Sequence, residues 1–106
     1  MAYLGRWNLG NTLTVYLQVK DPVTTEPVNA DSAPTYRVYV NTTSTPLLTG
    51  TMSLVDSANA TGFYGVQIVL AAGSGFTNGQ QFVVRKAYTV ASIAQADEPD
   101  TWQILP

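Results

Sequence analysis

The run Thr12–Lys20, TLTVYLQVK, sets Leu13, Val15, Leu17 and Val19 on one side of an extended chain, with Thr12, Thr14, Tyr16, Gln18 and Lys20 on the other. Period-two alternation of β-branched and aromatic residues marks a strand with one buried face. The strand stops at Asp21-Pro22, because proline has no N–H for a ladder and aspartate starts turns. The same pattern returns outward from this stretch. Tyr36–Val40 turns Tyr36, Val38 and Val40 one way, with Arg37 and Tyr39 opposite. Leu47–Val55 offers Leu48, Gly50, Met52 and Leu54 as an inward set, and Phe63–Leu70 offers Tyr64, Val66, Ile68 and Leu70. Gln81–Val90 offers Phe82, Val84, Tyr88 and Val90. Lys86 falls on that apolar side, which predicts an edge, a bulge or a strand that outruns the core.

Turn chemistry separates these runs. Residues 21–35 carry three prolines and read as a surface loop with at most one short extended piece; 41–46 and 56–62 read as polar turns. Asn78-Gly79 is a hairpin signal, since both residues tolerate positive φ. Ser92–Asp100 reads as a polar, acidic loop, and Thr101–Leu105 as one short closing strand. No segment sustains a 3.6-residue apolar repeat; Ala87–Ala96 comes nearest. The expectation is all-β: a single antiparallel β-sandwich, Ig-like or jelly-roll-like, of six to seven strands. Residues 1–106 form one domain on this reading, with extended arms at 1–11 and 97–106.

Composition narrows the function. Charged residues are 11% of the 106, with five Lys and Arg, seven Asp and Glu and a net charge of −2; soluble domains usually carry about 25%. There is no His and no Cys. That excludes disulfides, His- or thiolate-ligated zinc and Ser-His-Asp or Cys-His catalysis. Five scattered cations and a pI near 4.6 match a phosphate backbone poorly, so no nucleic-acid partner is expected. No apolar run spans a bilayer, and the N-terminal residues lack the pattern of a signal peptide, so no membrane role is expected either.

The candidate chemistry is sparse. Asp97, Glu98 and Asp100 offer either an oxygen-ligand site for a hard cation or a solvated loop beside Pro99, and the loop reading is preferred. Asp21, Glu26 and Asp31 lack EF-hand spacing. Gly73-Ser74-Gly75 lacks the Lys-Ser/Thr ending of a phosphate loop and reads as a tight turn. Asn41-Thr42-Thr43 and Asn59-Ala60-Thr61 match the glycosylation triplet, as chance allows in a Thr-rich chain. No catalytic residue, cofactor or metal is expected, and the role is non-enzymatic. The scarcity of charge is the more telling feature. Outward strand positions hold Thr, Ser, Asn, Gln, Ala and Tyr, whereas interfaces are depleted in Lys, Glu and Asp and enriched in Tyr and Trp. Tyr3, Trp7, Tyr39 and Trp102 are the expected protein-contact residues. A carbohydrate-binding platform that includes Tyr16 is the other use of such aromatics.

Three stretches carry a resemblance. They are Val28–Tyr39 (VNADSAPTYRVY), Leu54–Tyr64 (LVDSANATGFY) and Gly75–Val84 (GFTNGQQFVV). In the order Asp…Thr-Gly-Phe-Tyr, strand, Gly-Phe-x-x-Gly, strand, the chain resembles small Ig-like or jelly-roll-like virion proteins of tailed bacteriophages, over roughly residues 10–90. The resemblance implies a decoration or cement protein on the outer capsid, or a tail or connector component, in a virion assembled in the host cytoplasm. Its implied partners are the major capsid protein or other virion proteins, in a homo-oligomer or multi-copy array. No catalytic residues belong to it.

Overall fold

Each alternating run becomes a strand whose apolar side turns toward one interior. The computed structural model describes residues 2–41, 43–97 and 99–106. In chain order the strands are β1 (Ala2–Trp7), β2 (Thr12–Gln18), β3 (Thr35–Val40), β4 (Leu48–Thr51), β5 (Ser53–Leu54), β6 (Phe63–Val69), β7 (Gln81–Val90), β8 (Ile93–Ala96) and β9 (Asp100–Ile104). The larger sheet runs β1-β9-β7-β3-β4, with β8 also pairing β7; the smaller runs β2-β6-β5. They face each other as a β-sandwich across Leu13, Val15, Leu17, Val38, Ile68, Phe82, Val84 and Ile104, all buried.

The extended run 47–55 is divided between the sheets. It leaves the larger sheet after Thr51 and enters the smaller at Ser53, with Met52 buried at the crossing and its N–H donated to Pro34 O at 2.8 Å. The strands that carry residues 81–104 also divide. β9 pairs with Gln81–Val84 of β7, and β8 continues along the same side against Ala87–Val90.

Three expectations are corrected. The larger sheet is mixed rather than antiparallel, because β1 lies parallel to β9 at its edge. The segments read as arms are largely these two strands, paired with each other. Leu4 and Trp7 both turn inward only because the register shifts between Tyr3 and Arg6, where Gly5 takes φ +95°. Residues three apart in a regular strand face opposite ways, and this bulge brings both to one side. Asn78-Gly79 makes no hairpin: Gly79 has φ +79°, but the chain there passes from β6 in one sheet to β7 in the other. Phe76, in that crossing, is buried and meets Phe82 edge-on at 5.1 Å, while Phe82 stacks on Trp102 at 5.7 Å.

The hairpin the sequence concealed joins β7 to β8 through Ala91-Ser92, both at positive φ (50° and 66°). Two-residue hairpin loops favour Asn-Gly because that conformation strains other residues. Here Asp31 holds the strained turn, its carboxylate accepting the Ala91 N–H at 3.1 Å and the Ser92 N–H at 2.9 Å. Ala91→Asn with Ser92→Gly is therefore expected to add about 1–2 kcal/mol of stability. In a domain of this size that raises the melting temperature by roughly 4–8 °C per kcal/mol, read by circular dichroism. An unchanged melting temperature would mean that the turn stores no strain.

Candidate functional site

The outward half of each alternating strand forms the surface of the sandwich, so strand register decides which side chains meet there. In the larger sheet Tyr3 is opposite Thr101, Thr101 opposite Val83 and Val83 opposite Tyr39. These four make one row across four strands, about 14 Å from end to end at the usual strand spacing. Tyr3 is 60% exposed and Tyr39 half-buried. The next row sets Arg85 directly opposite Arg37, with Thr49 beyond, and both arginines are exposed. Past the bulge, exposed Arg6 lies opposite Gln103 on the same face. A groove of about 280 Å³ runs between Arg37, Tyr39, Arg85 and Asp97, and one of about 430 Å³ between Tyr39, Asn41, Ser44, Arg85 and Pro99.

Among the described residues the outer face of the smaller sheet has no charged residue. Thr12, Thr14, Tyr16 and Gln18 lie against Val69, Gln67, Gly65 and Phe63. Tyr16, 52% exposed, stacks on Phe63 with ring centres 5.2 Å apart and planes 11° apart. A Cβ on Gly65 would meet Val55 at 3.1 Å and the Tyr16 ring at 3.3 Å, so Gly65 lets these two exposed side chains close over the strand.

Charge is segregated accordingly. Of the described carboxylates only Asp100 belongs to a strand, and it faces the core. Asp21, Glu26, Asp31 and Asp56 lie in loops at one end of the sandwich. Asp21 and Asp56 cap their own turns: Asp21 accepts N–H groups from Thr24 and Val23, and Asp56 accepts from the Asn59 side chain and from the Asn59 and Ala58 N–H groups. These bonds hold both carboxyls below the usual carboxylate range.

Asp97 and Asp100 pair with a buried cation. Lys86 is no edge residue: it belongs to the central strand β7 and is 3% exposed. Its ammonium donates to Asp100 Oδ2 at 2.7 Å and to the Tyr16 carbonyl at 3.0 Å, and pairs with Asp97 Oδ2 at 3.0 Å. β2 is an edge strand of the smaller sheet, so one cation ties the two sheets together and satisfies an edge carbonyl. The group read as a solvated loop is thus partly an ion-pair cluster, with Glu98 outside the described residues. Burial raises the Tyr88 phenol above its usual range, and the nearby Asp97 charge adds to that. Thr42 of the first glycosylation triplet also lies outside the described residues.

The four expected contact residues divide. Tyr3 and Tyr39 share a face and a row. Trp102 does not reach the surface: it is 0% exposed in the aromatic core, because the parity of β9 turns Trp102 and Ile104 inward with Asp100. Trp7 is half-buried against the core, its indole N–H donated to Leu4 O at 2.9 Å. Both tryptophans belong mainly to their own domain. Tyr16, expected in a carbohydrate platform, is exposed, but Arg37, Arg85 and Phe63 were not among the expected site residues, although the alternation that set Arg37 on the side of Tyr39 was a signal for the arginines. Comparison with protein-family models, with characterised proteins and with solved structures finds no match to this chain.

Proposed function

We propose that this chain is a non-enzymatic structural domain that works by being packed against neighbouring polypeptides, as a decoration or cement protein on the outside of a tailed-phage capsid. A tail or connector position would use the same surface. The observation that carries the reading is the make-up of the outward strand positions of the two sheets, which hold Tyr, Thr, Gln, Val and Arg and, among the described residues, no carboxylate; Asp97, which lines the arginine groove, follows β8 and is turned to Lys86. Interface cores show the same depletion of acids and lysine and the same preference for Tyr and Arg. Modest contacts of this kind become strong when many copies sit in a symmetric array.

The test is sedimentation of material from the source, followed with an antibody to the chain. Co-sedimentation with a particle at fixed stoichiometry is expected; a chain found only as free monomer overturns the reading. Within such a particle, Tyr3→Lys with Tyr39→Lys is expected to lower incorporation at least about tenfold, as loss of interface tyrosines does. Its melting temperature should stay near that of the parent, since both side chains face outward. Equal incorporation of the variant would remove this row from the contact.

The Tyr16–Phe63 stack on an uncharged face favours a second reading, a carbohydrate- or host-surface-binding module, since paired exposed rings suit the apolar face of a sugar. Glycan-array binding that Tyr16→Ala abolishes would select it.

A further inference from the structure

The register of β3 and β7 places Arg37 and Arg85 directly opposite each other on the outer face, and Arg6 shares that face. Like charges opposed across a ladder destabilise it. Three of the chain's five cations are nevertheless gathered there. Among the described residues the ion pairs are both made by Lys86, and Asp97, which lines the groove beside Arg37, is already turned to that ammonium. Meanwhile Asp21, Glu26 and Asp56 project from loops at the end of the smaller sheet. Those loops adjoin: Gln18 Nε2 donates to Thr61 O at 3.0 Å, and one hollow is lined by Glu26, Pro27, Asn59 and Thr61. Among the described residues none of the three pairs with an arginine of its own chain.

We infer that the arginine face of one copy receives the acidic loop end of a second copy, in a head-to-face contact. Charge complementarity selects this occupant: the same chain carries a loop end with three carboxylates against the single cation Lys20 and, on a sheet face, the opposed guanidinium groups that fit carboxylates. Such a contact is heterologous, so it builds chains or rings rather than stopping at a dimer. A tip on a face of a molecule 43 × 28 × 21 Å buries little area, which makes the contact weak and salt-dependent alone and effective in an array. The inference names a partner for the packed-domain reading and rests on it.

Sedimentation velocity of the purified chain tests it. In about 20 mM salt the sedimentation coefficient is expected to rise between about 0.02 and about 1 mM protein, and to stay monomeric at about 500 mM salt, where screening is nearly complete over a few ångströms. The face variant Arg37→Gln with Arg85→Gln and the tip variant Asp21→Asn, Glu26→Gln, Asp56→Asn, neutralised so that neither altered surface complements the other, should each be monomeric alone. Asparagine keeps a side-chain oxygen for the turn N–H groups, and circular dichroism checks that both variants fold. Mixed together, each variant retains one working surface, so the mixture should stop at a one-to-one dimer. A wild-type chain that stays monomeric throughout, association that survives in the face variant or in high salt, or a mixture that does not pair overturns the head-to-face contact. That failure leaves co-sedimentation with a particle, the test of the packed-domain reading, unaffected.

Discussion

Replacing Lys86 by alanine is expected to cost about 3–5 kcal/mol, because it strands a buried carboxylate. Asp100 is 8% exposed and holds the ammonium at 2.7 Å, and the Tyr16 carbonyl loses its donor in the same step. Domains of this kind are stable by about 5–15 kcal/mol in all, so the variant should stand near its unfolding threshold at room temperature. Asp100→Ala should cost a similar amount by leaving the cation uncompensated. The pair Lys86→Met with Asp100→Leu, measured beside Lys86→Met and Asp100→Leu alone, separates interaction from burial. With both charges removed, the double variant is expected to be more stable than either single one, and its loss to fall short of the sum of the two single losses by a coupling of about 1–3 kcal/mol in denaturant titrations. Additive losses would mean that the two side chains act independently of each other.

The second large effect is expected at Trp102. Trp102→Ala should cost about 3–5 kcal/mol through lost burial and the cavity left behind. Phe76 and Phe82, which pack on the indole, would lose their common neighbour. Trp102→Phe should cost far less. The Trp102 N–H is buried without a hydrogen-bond partner among the described residues, and leaving such a donor unpaired costs about 1–3 kcal/mol. Removing it offsets much of the packing lost with the smaller ring, so thermal unfolding of the phenylalanine variant should approach the parent. A phenylalanine variant as unstable as the alanine one would mean that the indole nitrogen contributes to the fold after all.

These two sites show where the sequence was legible. Alternation in 12–20, 36–40, 63–70 and 81–90 decided the buried set, since a half-buried strand has only two sides and the structure keeps the parity each run implies. Lys86 obeyed that parity and was still misplaced, because nothing local reveals that Asp97 and Asp100 return along the same side of β7 to meet it. Trp102 was misplaced for a related reason: five residues at the chain's end are too few to establish a strand without the partners that Ile104 and Phe82 supply. The β7–β8 hairpin escaped notice because its turn is Ala-Ser rather than Asn-Gly, and the carboxylate that sustains it belongs to Asp31, some sixty residues upstream. The opposite error occurred at Asn78-Gly79, where the left-handed glycine serves a crossing between sheets. The outer-face residues were legible as types but not as neighbours. Register across four strands is what sets Tyr3 in line with Tyr39 and Arg37 against Arg85.

On the proposed function the outer sheet faces are covered by other polypeptides when the chain is in use. Hydroxyl-radical footprinting of the chain in its native source, set against the purified chain at equal dose, tests this most directly. Tyr3, Tyr16 and Tyr39 should label several-fold more slowly in the native material, while Tyr64, already buried within the domain, should label slowly in both. Equal labelling of the three outward tyrosines in both samples would contradict it.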